Sequence, residues 1–260
     1  MSSRSTVGRP LLVGVVVVAA ALVWSVGGPG LPGPYVVPVD SSAGVGMTEV
    51  PLEHGLDDDL LAEVRESTAH VHGLGCIAAQ VGTGFVAGAD LVVTAAHVVA
   101  GFDSPIVDID GVSTPAIVVA FDPRSDLAVL STAVGLPPAL PLADALAGQT
   151  VALVAYDDEG NPATSAVRIG RLIFAVGDDI YGDPADGRAA LELTAEVVYG
   201  NSGGPLVDGT GAVVGVLFSR VRGGRAVAYA VQSAEVLELL AGLDAGGTLE
   251  EVGSGPCRPR

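Results

Sequence analysis

From about residue 69 to 231 the chain runs as short apolar stretches broken by glycine, proline and aspartate. Examples are Leu91 to Val93, Ala116 to Ala120, Leu127 to Leu130, Val151 to Ala155, Ala166 to Phe174 and Ala212 to Phe218. Few of these stretches carry a helical period, and many short strands at this spacing predict a sandwich or barrels. Two segments read differently. Asp57, Asp58 and Asp59 precede Leu60 to Glu66, where acidic residues favour a helix amino terminus, so a short helix opens the folded part. Ser233 can cap a second helix over Ala234 to Gly242, with Glu235 and Glu238 in its first turns.

The amino-terminal pattern is distinct. Arg4 and Arg9 precede Leu11 to Val26, an apolar run interrupted only by Gly14 and Ser25. As a helix, its roughly 16 to 18 residues reach about 24 to 27 Å, enough to span a thin hydrocarbon layer. No small-x-small cleavage site follows, and Trp24 stands where an interfacial aromatic sits, which favours an uncleaved anchor over a signal peptide. In either case the positive flank stays inside and the remainder is exported. Residues 28 to 56 hold Pro29, Pro32, Pro34, Pro38 and Pro51 among glycines and serines, a composition that disfavours helix and ladder pairing and predicts a linker.

Composition narrows the partners. The 260 residues are 49% apolar, which supports a sizeable core and excludes a disordered chain. Residues beyond 27 carry all 30 acidic side chains and ten of the 12 basic ones, a net charge of −20. Such a surface repels phosphate backbones, so nucleic acid is not an expected partner.

The chemistry concentrates in two places. Gly200-Asn201-Ser202-Gly203-Gly204-Pro205-Leu206 sets a serine among glycines that can take positive φ and leave room for a substrate carbonyl. Far upstream lies Thr94-Ala95-Ala96-His97, a histidine with small neighbours. A serine hydroxyl is a poor nucleophile until an imidazole accepts its proton, and that imidazole needs an acceptor for its other N–H. The strand-like run after Asp126 makes that carboxylate the leading acceptor; Asp122, Asp108 and Asp110 are alternatives.

Together with Gly82-Thr83-Gly84-Phe85-Val86, Leu91 to Val99 and Asp126-Leu127-Ala128-Val129-Leu130, these segments resemble the signatures of trypsin-like serine proteases, particularly bacterial HtrA-type ones. The order His, Asp, Ser is that of this superfamily and differs from subtilisins and α/β-hydrolases. The resemblance implies an all-β fold of two six-stranded antiparallel barrels, chymotrypsin-like, with the active site between them. Short amino- and carboxyl-terminal helices and an amino-terminal transmembrane or signal helix would complete it. By resemblance His97 is the general base, Asp126 its orienting carboxylate and Ser202 the nucleophile, with the N–H groups of Gly200 and Ser202 as oxyanion hole.

Within that superfamily the chain is similar to the membrane-anchored acid-resistance proteases of actinobacteria, the MarP type. Cys76, six residues before Gly82, and Ile180-Tyr181-Gly182-Asp183-Pro184 carry this likeness. The resemblance implies a bridge between Cys76 and Cys257; two cysteines in an exported chain fit a bridge, while free thiols or a link to another chain remain open. Departures accompany the likeness. This sequence offers at most one membrane helix where the family has several, and the 58 residues after Ser202 leave no room for a PDZ domain of ordinary size. Asn201 replaces the aspartate that, in digestive members, pairs with a freshly cleaved amino terminus, so that mode of activation is not expected.

The substrate pocket is expected from the backbone before Ser202 and the strand Gly215 to Ser219, which makes Phe218 and Ser219 pocket candidates. Glu196 is a further candidate, six residues before Ser202, though an ordinary loop glutamate is the simpler reading. His70 and His72 alternate on one strand face as two potential ligands, yet no third with convincing spacing appears, so no metal site and no cofactor are expected. Arg220, Arg222 and Arg225 read as a solvated hairpin tip. The expected organisation is an anchor or signal over 1–27, linker and short helix over 28–66, a protease domain over 67–245, and a tail over 246–260 carrying Cys257. The expected function is an exported serine endopeptidase of the cell membrane, acting on polypeptides in envelope or acid-stress proteolysis. The alternatives are a catalytically silent peptide-binding or sensory module on the same fold, and an esterase.

Overall fold

A computed structural model of the chain describes residues 35–38, 49–76, 78–133, 135–220, 226–246 and 249–258. The expected membrane or signal helix over 1–27 lies outside the described residues, as do Arg222, Arg225 and the side chain of Arg220. Among the described residues no helix is long and apolar enough to cross a membrane.

Strand β1 (Tyr35–Pro38) pairs with a later strand and falls within the expected linker. Helix α1 (Asp58–Glu66) is capped by Asp57, whose carboxylate accepts the Leu60 N–H at 2.9 Å, and buries Leu61 and Val64. This matches the run of aspartates that predicted it.

Six strands then form a closed barrel in the order β2-β3-β4-β7-β6-β5. They are β2 (Thr68–Leu74), β3 (Ala79–Gly88), β4 (Leu91–Ala95), β5 (Ile106–Ile109), β6 (Val112–Asp122) and β7 (Leu127–Thr132), with the single-turn helix α2 (Ala96–Val99) after β4. The second half comprises β8 (Thr150–Tyr156), β9 (Pro162–Asp178), β10 (Pro184–Thr194), β11 (Pro205–Val207), β12 (Val213–Arg220) and β13 (Val227–Gln232). Its strand order is β9-β10-β13-β12-β11-β8, and β8 pairs back onto β9, so six antiparallel strands again close a ring, with β1 added on β9. The expected two-barrel fold is the one observed.

The core explains why the strands read as unbroken apolar runs rather than as alternating ones. In β7, Ala128 and Leu130 point into the first barrel, while Leu127 and Val129 join a separate cluster that also holds residues of the second barrel. In β8, Val151, Leu153 and Ala155 fill the second barrel, while Ala152 and Val154 join that shared cluster. Successive side chains face opposite ways, and both faces are covered, so both must be apolar. Leu61 and Val64 of α1 and Val236 of the final helix α3 (Ser233–Gly246) pack into the same shared cluster. Helix α3 runs four residues past the expected end, and Ser233 does something other than cap it: its hydroxyl donates to the Val213 carbonyl at 2.6 Å, fastening the helix to β12.

Candidate active site

His97 and Asp126 meet because β4 and β7 pair to their ends. Ala95 lies opposite Leu127 in that ladder, so the residue after β4 and the residue before β7 are neighbours. Asp126 Oδ1 accepts the His97 backbone N–H at 2.9 Å, and its Oδ2 contacts His97 Nδ1 at 2.8 Å. The Asp126 carbonyl in turn accepts the Ala96 N–H at 3.1 Å. Asp126 is buried and holds φ at 61°, a left-handed conformation that aspartate tolerates better than most side chains. Because a carboxylate only accepts, Nδ1 carries a proton, which in the neutral ring leaves the lone pair on Nε2. Two of the three competing carboxylates are engaged elsewhere. Asp122 accepts from Ser125 Oγ and the Arg124 N–H within its own turn, and Asp108 contacts His72.

The Ser202 loop is fastened to the first barrel by one buried side chain, Thr83. Its backbone N–H donates to the Ser202 carbonyl at 2.8 Å, and its hydroxyl donates to the Gly200 carbonyl at 2.8 Å while accepting the Tyr156 N–H at 2.9 Å. Thr94 Oγ1 donates to the Thr83 carbonyl at 2.6 Å and completes the arrangement. The glycines beside Thr83 permit this approach: a Cβ on Gly82 would sit 2.9 Å from the Ser202 carbonyl oxygen. Gly200 and Gly203 both hold positive φ, at 91° and 85°. A Cβ on Gly200 would meet the Asp158 nitrogen at 2.8 Å, and one on Gly203 the Ala95 nitrogen at 2.9 Å.

Asn201 is buried and organises the turn from within. Its Oδ1 accepts the Val198 N–H at 3.0 Å and its Nδ2 donates to the Tyr156 carbonyl at 2.9 Å. The turn is thus held by an uncharged side chain against the end of β8. Among the described residues, the N–H groups of Gly200 and Ser202 donate to no protein acceptor, and no hydrogen bond joins the Ser202 and His97 side chains.

His97 and Ser202 line one cleft of about 300 Å³, together with Val197 to Gly200 and with Leu217, Phe218 and Ser219 of β12. Phe218 and Ser219, the expected pocket candidates, are on its wall. Glu196 does not line the cleft; its side chain is exposed, and it is Val197, Val198 and Tyr199 that form the wall leading into the turn.

Three contributors escaped the sequence reading. Thr83 was visible only as part of a signature. Arg188 on β10 stacks its guanidinium 4.3 Å from the Phe218 ring centre and donates to the Arg124 carbonyl. Burial draws its pKa below the usual arginine range, against the attraction of Asp126, Glu235 and Asp122. The third is Arg258, which reaches the cleft from the far end of the chain.

Arg258 arrives there because the Cys76–Cys257 bridge is formed, spanning 181 residues. The tail is fixed along its length: the Val252 N–H donates to Val118 O at 2.9 Å, Ser254 Oγ to Phe102 O at 2.7 Å and Tyr181 Oη to Pro256 O at 3.1 Å. Arg258 Nε donates to Ile180 O at 3.2 Å. The Ile180-Tyr181 segment thus serves as the seat of the tail on the second barrel.

Comparison with known proteins agrees with this geometry. Residues 82–216 match the family model described as trypsin-like peptidase domain. Serine protease Rv3671c of Mycobacterium tuberculosis is 34% identical over 207 residues, which cover 78% of this chain and 51% of the relative. A probable periplasmic serine endoprotease, DegP-like, of Brucella suis is 31% identical over 192 residues, 65% of this chain and 34% of the relative. The chain thus spans about half the length or less of these curated relatives. The crystal structure of the Rv3671c protease from M. tuberculosis in its active form superposes with a TM-score of 0.72 at 32% identity, covering 86% of this chain and 100% of that one.

Proposed function

Because the chain belongs to the trypsin-like peptidase family, we propose that it is an exported serine endopeptidase, tethered to the membrane through residues 1–27 and acting on polypeptides in envelope or acid-stress proteolysis. The observation that carries the chemistry is the His97 Nδ1 to Asp126 Oδ2 contact of 2.8 Å, with His97 opening on the same cleft as Ser202.

In this reading His97 Nε2 takes the Ser202 hydroxyl proton as Oγ attacks the scissile carbonyl carbon. Asp126 holds the tautomer and stabilises the imidazolium that forms. The carbonyl electron pair moves onto oxygen, where the N–H groups of Gly200 and Ser202, free of protein acceptors, receive it; one such donor contributes about 3 to 4 kcal/mol to the transition state. Collapse breaks the C–N bond, the imidazolium gives its proton to the departing amine, and the acyl group remains on Ser202. Water then attacks the ester with His97 again as base, releasing the acid and restoring the hydroxyl. Export and anchoring are supported by the arginine-flanked apolar run from Leu11 to Val26.

A fluorophosphonate probe tests the centre without a guess at substrate. The full-length protein labels with one probe per chain, and Ser202→Ala does not. Equal labelling of the two, or none in either together with no cleavage of unfolded casein, overturns the assignment. The absence of a Ser202 to His97 hydrogen bond favours one alternative, a peptide-binding module that does not turn over. Such a module binds peptide yet fails to label, whereas a resting enzyme whose contacts tighten on substrate labels fully.

A further inference from the structure

We propose that His70, His72 and Asp108 form a binding site for a divalent transition-metal ion of the zinc class on the first barrel. The sequence offers the two histidines as a pair on one strand face, with no third ligand near them. The third comes from another strand: in the β2–β5 ladder, His70 lies directly opposite Asp108.

The geometry suits a cation. Asp108 Oδ2 is 2.9 Å from His72 Nε2 and 3.5 Å from His70 Nδ1, and one ligand atom from each residue lies within 4.8 Å of the others. Metal contacts of about 2.0 to 2.2 Å place tetrahedral ligand atoms about 3.3 Å apart, a value the two observed separations bracket. The imidazole rings stack at 5.0 Å between centres, so both present an edge to the carboxylate.

Protein hydrogen bonds alone leave the cluster poorly satisfied. Both histidines converge on one oxygen of Asp108, while Asp108 Oδ1, on the carboxylate that a cation here would bind, is buried without a hydrogen-bond partner. Buried polar atoms without partners are uncommon and mark sites where an ion or water belongs. A dication shared among two neutral imidazoles and one carboxylate uses the donor atoms that are crowded here and removes the competition for a single oxygen. Ser113, opposite Asp108 across β5 and β6, is placed to orient the carboxylate.

Access agrees. His70 and His72 line a depression of about 420 Å³ with Gln80, Asp103 and Ile106, through which an ion and a fourth, water ligand can enter. Two imidazoles and one carboxylate select zinc, cobalt, nickel or copper over magnesium and calcium, which prefer all-oxygen sets. The site lies against Tyr156, whose ring centre is 5.5 Å from that of His70 and whose backbone braces Asn201 and Thr83.

The test uses the full-length, tag-free protein stripped with a chelator. Zn²⁺ is expected to bind one per chain and raise Tm, with the chelator reversing the rise, and Co²⁺ to give visible absorption of four- or five-coordinate intensity. His72→Gln and Asp108→Asn are each expected to weaken Zn²⁺ binding at least tenfold, with little change in the Tm of the metal-free protein. Absence of Zn²⁺ binding at millimolar concentration, or affinity unchanged in both variants, overturns the proposal. Should the variants fail to fold, X-ray absorption of the zinc-loaded wild type decides. Two imidazole scatterers and an oxygen shell are expected, and a first shell without imidazole overturns the site.

Discussion

Asp126 and Thr83 show how single residues set the centre. With Asp126→Asn, Oδ2 is replaced by an amide group or an oxygen that no longer enforces the Nδ1–H tautomer, and kcat should fall by about 10⁴ while KM changes little. Steady-state kinetics on a peptide ester measure this, and a decrease below tenfold would mean that another carboxylate orients His97. Thr83→Val removes one hydroxyl that serves the Gly200 carbonyl and the Tyr156 N–H together. Leaving buried partners unmet costs about 1 to 3 kcal/mol, so denaturant midpoints fall and probe labelling slows. Thr83→Ser keeps the hydroxyl and should restore most of the labelling rate; equal slowing in the two variants would show that the methyl group, not the hydroxyl, fixes the loop. At this scale His97 and Ser202 were legible because short local motifs surround them. Arg188 was not, because nothing in its neighbours tells that β10 sets it over the Phe218 ring and against the Arg124 carbonyl.

Elements carry the next set of consequences. The β6–β7 turn is held by Asp122, for which burial alone would raise the pKa. Hydrogen bonds from Ser125 and the Arg124 N–H, with the Arg124 guanidinium, outweigh burial and hold it below the usual carboxylate range. A carboxyl depressed in the folded state stabilises above its unfolded pKa of about 3.9 and loses that contribution as pH falls through the folded value. The Tm difference between the wild type and Asp122→Asn should therefore be constant from neutral pH to about 5 and vanish on further acidification. A difference that persists at pH 2 would assign the effect to packing. The disulfide is a second device at this scale. In the chain-entropy view, opening a loop this long in Cys76→Ser lowers unfolding free energy by about 4 to 5 kcal/mol, readable in urea as a shifted midpoint. Strand identity was legible from apolar runs. The face each strand turns to which core was not, since β4, β7, β8 and β12 are apolar on both sides.

At the scale of the whole molecule, the carboxyl-terminal tail brings Arg258 to the cleft, the one arginine among the described residues that line it. An exposed guanidinium contributes modestly, so Arg258→Gln should lower kcat/KM for peptides with an acidic residue by up to about fivefold relative to neutral ones. Unchanged relative rates across a peptide library would remove Arg258 from substrate selection. Taken by itself, the sequence determined the strand-rich class, the helices at either end of the folded part and, by resemblance, the two barrels, and it singled out His97 and Ser202 with Asp126 as the leading candidate among four carboxylates, because these rest on local pattern and on order along the chain. Only the tertiary structure decided which carboxylate meets His97, that Thr83 bridges the barrels, that Arg258 reaches the cleft, and that Asp108 joins His70 and His72. Each of these is a contact across tens of residues, set by strand register and barrel closure, and periodicity along a chain carries no record of which strands become neighbours.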